Sequence, residues 1–342
     1  MASIDVLCMA CDGPDCNHRP VMLKRRAPGD DDVVIAMKYC GICHTDLHGA
    51  KGDLDGLVGR DHYPNVAGHE LSGVCTAVGK NVTKFKVGDY VGVGCMVDSC
   101  GTCKSCKAGT EQLCTKQTGT YNARDNGSGR SSAFPPKSHT LGGYTTTFVV
   151  YHKFAILIPQ TYPLEMAGPV MCAGVTLYSP LREYGAKEGT KVAIVGLGGL
   201  GSIGVQIARA LGCEVTAISS TNKKEELAKS LGAGAYLVSS DFKAMGEAKG
   251  KFDLVLNTIP SEHNYSVYTP LCTGKGKHVV LSVPTLRLCS ADVAQACRQL
   301  CSDNALNGMI RPSRWNAKTG KRSTSAWSRW DAEGVRRRTR RN

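Results

Sequence analysis

Residues 191–201 read K-V-A-I-V-G-L-G-G-L-G. A short apolar run, Lys191 to Val195, leads straight into Gly196-Leu197-Gly198-Gly199-Leu200-Gly201, and Ser202 to Leu211 continues with helical spacing of its apolar residues. A lone G-x-G-x-x-G is weak evidence, but one placed between a strand and a helix is a dinucleotide fingerprint. The glycines let the backbone approach a pyrophosphate, and the helix N–H groups then point at its charge. Downstream, E-V-T-A-I, a helical stretch over Asn222 to Leu231, F-D-L-V-L-N and K-H-V-V-L-S alternate strand with helix. That alternation predicts an α/β fold with a parallel, doubly wound sheet.

The end of the second strand reports on the nucleotide. A site for NAD places Asp or Glu about 20 residues beyond the glycines, where it bonds the ribose 2′-hydroxyl. This chain has Ser219, Ser220 and Thr221 there, with Lys223 and Lys224 beside them. Three hydroxyls and two cations without a carboxylate suit a 2′-phosphate, so NADP(H) is expected. Exposed helix lysines would account for the cations alone, but not for the missing acid.

Upstream the character differs. Residues 32–39, D-V-V-I-A-M-K-Y, read as a strand that delivers the chain to Cys40-Gly-Ile-Cys43-His-Thr45-Asp46-Leu-His48. L-S-G-V-C-T-A-V-G, V-G-D-Y-V-G-V-G, Y-T-T-T-F-V-V-Y and F-A-I-L-I-P add further short strands with glycine turns, which indicates a β-rich first domain. Cys43 and His69, in G-H-E-L-S-G, have the chemistry of a zinc site that keeps one position open for reaction; such a site needs three protein ligands. Cys172, in a helical and apolar context, is a candidate for the third, although a lone buried Cys is more often a small hydrophobe.

Cys100, Cys103, Cys106 and Cys114 form C-x2-C-x2-C-x7-C in a polar loop. Four thiolates close a tetrahedral shell, which makes a structural zinc that holds a loop lacking its own core. An iron–sulfur cluster would place the fourth Cys after three residues and follow it with Pro, whereas here the gap is seven and Thr115 follows. Cys8, Cys11, Cys16 and His18 are read as incidental groups at a mobile terminus.

The chain has 342 residues, of which 42% are hydrophobic and 21% charged, enough for two domains. No run approaches a membrane-spanning length, and Met1 to Gly13 lacks the pattern of a secretory signal, so a soluble, cytoplasmic protein is expected. Its 17 cysteines are then metal ligands and buried thiols rather than disulfides. Net charge is +13, but residues 285–342 hold 11 Arg and 2 Lys against 3 Asp and 1 Glu, a net +9 that leaves +4 for the body. Nucleic-acid binding by the body is therefore not expected.

Taken together, C-G-I-C-H-T-D-L-H, G-H-E-L-S-G, the four-Cys loop, C-A-G-V-T-L-Y-S-P-L, G-L-G-G-L-G and I-S-S-T-N-K-K resemble the zinc-dependent medium-chain alcohol dehydrogenases, in their cinnamyl alcohol dehydrogenase-like, NADP-using branch. The resemblance runs over roughly Val33 to Pro284. It implies a GroES-like catalytic domain (1–160), a Rossmann domain (161–284) and two zinc ions per chain. It also implies Cys43, His69 and Cys172 as catalytic-zinc ligands, with Glu70 as an alternative ligand. Asp46 would orient His69, Thr45 and His48 would relay the alcohol proton, and Thr176 would lie near the nicotinamide. The implied reaction is hydride transfer between NADP(H) and a primary alcohol or aldehyde, aromatic or aliphatic, running as aldehyde reduction in the cell. A polyol dehydrogenase and an inactive zinc- and nucleotide-binding protein are the alternatives. Residues 285–342 depart from the family: they read as a frame-shifted end rather than a basic arm for anionic surfaces, and they put the family's homodimer in doubt.

Overall fold

The structure is a computed structural model that describes residues 3–53, 63–124, 130 and 139–282, together with Trp315–Asn316 and Lys321–Arg322. Apart from those four positions, the segment 285–342 that departs from the family lies outside the described residues. The chain divides into two compact units: one takes Met1–Thr176 and Ile259–His263, the other Leu177–Thr258 and Asn264–Leu281.

The first unit opens with β1 (Ile4–Cys11) and β2 (His18–Arg25), paired antiparallel from Ile4↔Arg25 to Cys11↔His18. This corrects the expected mobile terminus. Val6, Cys8 and Ala10 alternate inward in β1, and their burial against Val66 is what orders the hairpin. Next come β3 (Asp32–Cys40), α1 (His44–Lys51), β4 (Leu71–Val78), β5 (Tyr90–Val93) and β6 (Met96–Asp98). They are followed by α2 (Lys104–Lys107), β7 (Thr118–Gly119), β8 (Thr147–Tyr151) and β9 (Ile156–Ile158). Five of the strands make an antiparallel sheet in the order β8-β3-β4-β5-β9. Its inner face carries Val33, Ile35, Leu71, Val91, Val93, Phe148 and Val150, all buried.

The helical context expected around Cys172 is realised as α3 (Leu164–Pro169), a π turn over Val170–Gly174, and α4 (Val175–Glu183). Pro169 has no N–H to give to an α-helical ladder, and the wider turn follows immediately. The compact units divide inside α4, between Thr176 and Leu177.

The second unit alternates as its sequence predicts: β10 (Lys191–Val195), α5 (Gly199–Ala210), β11 (Glu214–Ser219), α6 (Glu225–Ser230), β12 (Ala235–Val238), α7 (Phe242–Glu247), β13 (Phe252–Asn257) and β14 (Cys272–Val280). All the pairings are parallel, in the order β12-β11-β10-β13-β14. The central strand β10 is buried on both faces, as a continuous apolar run requires, with Val192, Ile194, Leu254 and Leu256 in one core with Leu177 and Val205. Of the tail, β15 (Trp315–Asn316) and β16 (Lys321–Arg322) pair antiparallel. No helix among the described residues is long and apolar enough to cross a membrane.

One buried cation holds the first unit together. Arg25 is 1% exposed, donates to the carbonyls of Leu141 at 2.8 Å and Gly142 at 2.5 Å, and lies 4.4 Å from the centre of the Phe148 ring. Burial pulls its pKa down to about 10. Arg25→Leu leaves two carbonyls without their donors, so unfolding in urea should show a loss of about 2–4 kcal/mol. Arg25→Lys reaches one carbonyl at a time and should recover part of that loss.

Candidate active site

In the first unit, β3 ends at Cys40 and the chain turns through Gly41 into α1, with Cys43 at its N-cap. Asp46 is buried in the first turn, and its Oδ2 accepts the Cys43 backbone N–H at 2.9 Å. Its Oδ1 accepts from His69 Nδ1 at 3.0 Å and from the Gly68 N–H at 3.1 Å. Asp46 therefore closes the start of α1 with one oxygen and meets His69 with the other. With Nδ1 engaged, His69 turns Nε2 toward Cys172 Sγ at 3.1 Å. Cys172 projects from the π turn, and its sulfur lies 4.0 Å from Cys43 Sγ.

Cys43, His69, Glu70 and Cys172 thus offer four ligand atoms, all within 4.8 Å of one another. Zinc bound tetrahedrally, with Zn–S about 2.3 Å and Zn–N about 2.0 Å, separates its donors by about 3.5–3.8 Å. The observed spacings bracket that value, so the residues fit the ion. The electrostatics agree. The hydrogen bond with Cys172, then burial, pushes the Cys43 thiol up to about 12. Burial, then the nearby Cys43 sulfur, raises the Glu70 carboxyl. Burial alone would lower His69, but Asp46, Cys172 and Cys43 together raise it. Crowded, desolvated acids hold their protons until a cation replaces them.

Glycine makes room for this cluster. A Cβ on Gly41 would lie 2.0 Å from Glu70 Oε2, and one on Gly68, whose φ is +100°, would lie 2.8 Å from Cys40 Sγ and 2.9 Å from Tyr144 Cδ1. Cys40 is outside the ligand group; burial pushes its thiol up to about 12.

Thr45 Oγ1 lies 3.5 Å from Cys43 Sγ. His48 follows three residues later, on the same side of α1. Its Nδ1 is 2.8 Å from Asp53 Oδ2. Asp53 was not singled out from the sequence, since an isolated acid after a helix carries no pattern. Tyr144, whose hydroxyl donates to Asp46 Oδ2 at 2.9 Å, was also missed, as was Tyr121, stacked on His69 with centroids 5.7 Å apart.

The four-Cys loop gathers Cys100, Cys103, Cys106 and Cys114 into a second group within the same 4.8 Å limit. Cys100 and Cys106 sulfurs are 3.8 Å apart, and Cys103 and Cys106 sulfurs 3.5 Å, again near the tetrahedral spacing. Backbone N–H groups of Cys103, Cys106 and Lys116 point at the sulfurs of Cys100, Cys103 and Cys114. Such donors, from Thr102 and Cys103, bring the Cys100 thiol down to about 5. Cys8, Cys11, Cys16 and His18 belong to neither group. All 14 described cysteines are free thiols.

In the second unit, Gly196 leaves β10 at φ +88°. A Cβ on Gly201 would stand 1.8 Å from the Gly196 carbonyl, whereas those on Gly198 and Gly199 would meet nothing. The loop is thus closed on its inner side and open on the other, a cradle for a pyrophosphate at the start of α5. Lys224 Nζ donates to the Leu197 carbonyl at 2.9 Å, which brings a cation to the cradle. Ser219 ends β11, and Ser220, Thr221 and Lys223 are exposed beyond it with no carboxylate between them. Thr176 lies in the first turn of α4, one residue before the second unit begins.

These features define a zinc-binding dehydrogenase of two units. Residues 29–160 match the Alcohol dehydrogenase GroES-like domain family and 199–310 the Zinc-binding dehydrogenase family, which carries the likeness past Pro284, where the motifs end. NADP-dependent alcohol dehydrogenase C 1 of Mycolicibacterium smegmatis is 45% identical over 264 residues, 77% of this chain and 72% of that protein. Probable cinnamyl alcohol dehydrogenase 3 of Oryza sativa subsp. japonica is 42% identical over 78% of this chain and 69% of that one. Among solved structures, CAD from Helicobacter pylori complexed with NADP(H) superposes with TM-score 0.75 at 36% identity, covering 83% of this chain and 77% of that chain. A Sorghum bicolor cinnamyl alcohol dehydrogenase gives 0.76 at 33%, covering 98% and 95%. The chain belongs to the zinc-dependent medium-chain alcohol dehydrogenase family, in its cinnamyl alcohol dehydrogenase-like branch.

Gly201→Ala forces a methyl group into the Gly196 carbonyl. It should destabilise the second unit by about 1–3 kcal/mol in denaturant unfolding, while Gly198→Ala, which points into open space, should stay within about 0.5 kcal/mol.

Proposed function

We infer that this chain transfers a hydride between NADP(H) and a primary alcohol or aldehyde, aromatic or aliphatic, and that it works as an aldehyde reductase. The observation that carries the reading is the convergence of Cys43, His69, Glu70 and Cys172 within 4.8 Å, with Asp46 behind the histidine. The names of its relatives, NADP-dependent and cinnamyl alcohol dehydrogenases, support the cofactor and the substrate class. When bound at Cys43, His69 and Cys172, zinc supplies a Lewis acid for the substrate oxygen. A second zinc at Cys100, Cys103, Cys106 and Cys114 ties down its loop.

The chain's own residues hold the rest. Asp46 orients His69, and Glu70 stands by as an alternative ligand. The Thr45 hydroxyl passes the proton between the substrate oxygen and His48. With Nδ1–H donated to the Asp53 carboxylate, the lone pair of His48 is on Nε2, the nitrogen that can take the proton onward. Gly196, Gly198, Gly199, Leu200 and Gly201 would receive the pyrophosphate, and Ser219, Ser220, Thr221 and Lys224 the 2′-phosphate. Thr176 is assigned by the resemblance to the nicotinamide and would serve it.

Two measurements test this. Purified full-length protein should hold two zinc ions per chain and oxidise NADPH with a panel of aldehydes; Cys43→Ala should hold one, with kcat down by about 10³-fold or more. Two zincs with no turnover of any aldehyde or alcohol would leave a binding protein instead. Separately, Ser220→Asp sets a carboxylate against the 2′-phosphate. It should raise KM for NADPH by about tenfold or more and leave that for NADH no worse; an unchanged NADPH KM rejects the 2′-phosphate assignment.

A further inference from the structure

Asp46 has two carboxylate oxygens and four donors upon them. Three come from the segments that carry Cys43 and His69: the N–H groups of Cys43 and Gly68, and Nδ1 of His69. The fourth, the Tyr144 hydroxyl, comes from 98 residues further along the chain and donates to Oδ2 at 2.9 Å. Tyr144 is itself held firmly. Its N–H donates to Ala67 O at 3.0 Å, and its carbonyl accepts from Met9 N at 2.9 Å. The two preceding residues continue the brace, since Gly142 N donates to Val66 O at 2.7 Å and Gly143 N to Gly68 O at 2.8 Å. Residues 142–144 therefore run alongside 66–68, the segment that ends at His69. Arg25 clamps the carbonyls of Leu141 and Gly142 from behind. The tyrosine ring lies on Gly68, where any Cβ would come within 2.9 Å of Cδ1.

This arrangement does more than fill space. Rotation of an aspartate carboxylate about its last bond is soft, so the direction of Oδ1 depends on what Oδ2 is tied to. One backbone N–H ties Oδ2 near the helix start, and the phenol ties it from the opposite element. We propose that Tyr144 is a positioning residue for the metal centre: its hydroxyl locks the Asp46 carboxylate so that Oδ1 faces His69 Nδ1, which fixes the imidazole tautomer and the direction of Nε2. This rests on the reading of Cys43, His69 and Cys172 as metal ligands. Groups behind a ligating histidine typically change metal affinity by about 10–100-fold when removed.

The test is a Co2+ titration of the metal-free full-length protein, followed by the thiolate-to-cobalt absorption and the d–d bands, with Cys43→Ala marking the signal of this centre. Tyr144→Phe keeps the ring and removes only the hydroxyl. It should weaken Co2+ at the Cys43-dependent centre by about tenfold and alter its d–d envelope, leaving the four-Cys signal unchanged. A purely structural tyrosine would lower the unfolding midpoint of the metal-free chain and leave affinity and spectrum as in wild type; that result overturns the proposal. Adding Tyr144→Phe to Asp46→Ala should weaken binding by no more than about twofold further, because the path through Asp46 is already gone. A further tenfold loss overturns the proposal too. If wild type shows no Cys43-dependent cobalt signal, the ligand assignment falls and the tyrosine with it; a wild-type signal that Tyr144→Phe leaves intact removes the tyrosine alone.

Discussion

The carboxylate of Asp46 is the constraint on which the first unit's chemistry depends. It is buried and ionised, and burial would raise its pKa, but His69, the Cys43 N–H and Tyr144 outweigh that and lower it. A buried charge is tolerable only when it is fully hydrogen-bonded, so this carboxylate dictates the placement of everything that touches it. Through Oδ2 it starts α1 and so sets the position of Cys43. Through Oδ1 it sets His69. The candidate centre is thus assembled by one anion before any cation is considered.

Around that anion the scaffold divides its tasks. The antiparallel sheet delivers Cys40 and Leu71 side by side at the ends of β3 and β4, which brings the Cys43 and His69 segments together. The π turn after Pro169 carries Cys172, whose sulfur reaches the same point. Glycines at 41 and 68 let the chains approach to distances that a side chain would forbid. In the second unit the same economy serves an anion: the loop from Gly196 to Gly201 is packed on one side and bare on the other, with Lys224 drawn to the Leu197 carbonyl.

Much of this was legible in one dimension because the signals are local. A strand, a glycine loop and a helix in succession have one common structural solution, so the parallel sheet followed from Lys191 to Leu211. The four cysteines lie within 15 residues of each other, Cys100 to Cys114, and a loop so short can only gather them. Cys43, Asp46 and His48 share one helical segment, where spacing translates directly into geometry. Cys172 was ambiguous by spacing, 129 residues from Cys43, and was raised only by the resemblance of C-A-G-V-T to a family motif.

The sequence by itself determined the fold class, the four-Cys loop and the nucleotide loop, since each rests on residues a few positions apart. Tertiary structure decided what no short spacing encodes. The N-terminal segment, read as mobile, is a hairpin because Val6, Cys8 and Ala10 find Val66 to pack against. Arg25 is buried because the carbonyls of Leu141 and Gly142 await it. Asp53 meets His48, Tyr121 stacks on His69, and Tyr144 reaches Asp46 across 98 residues. These partners carry no motif: their positions follow from the closing of a sheet and the burial of a charge, and both are properties of the folded chain.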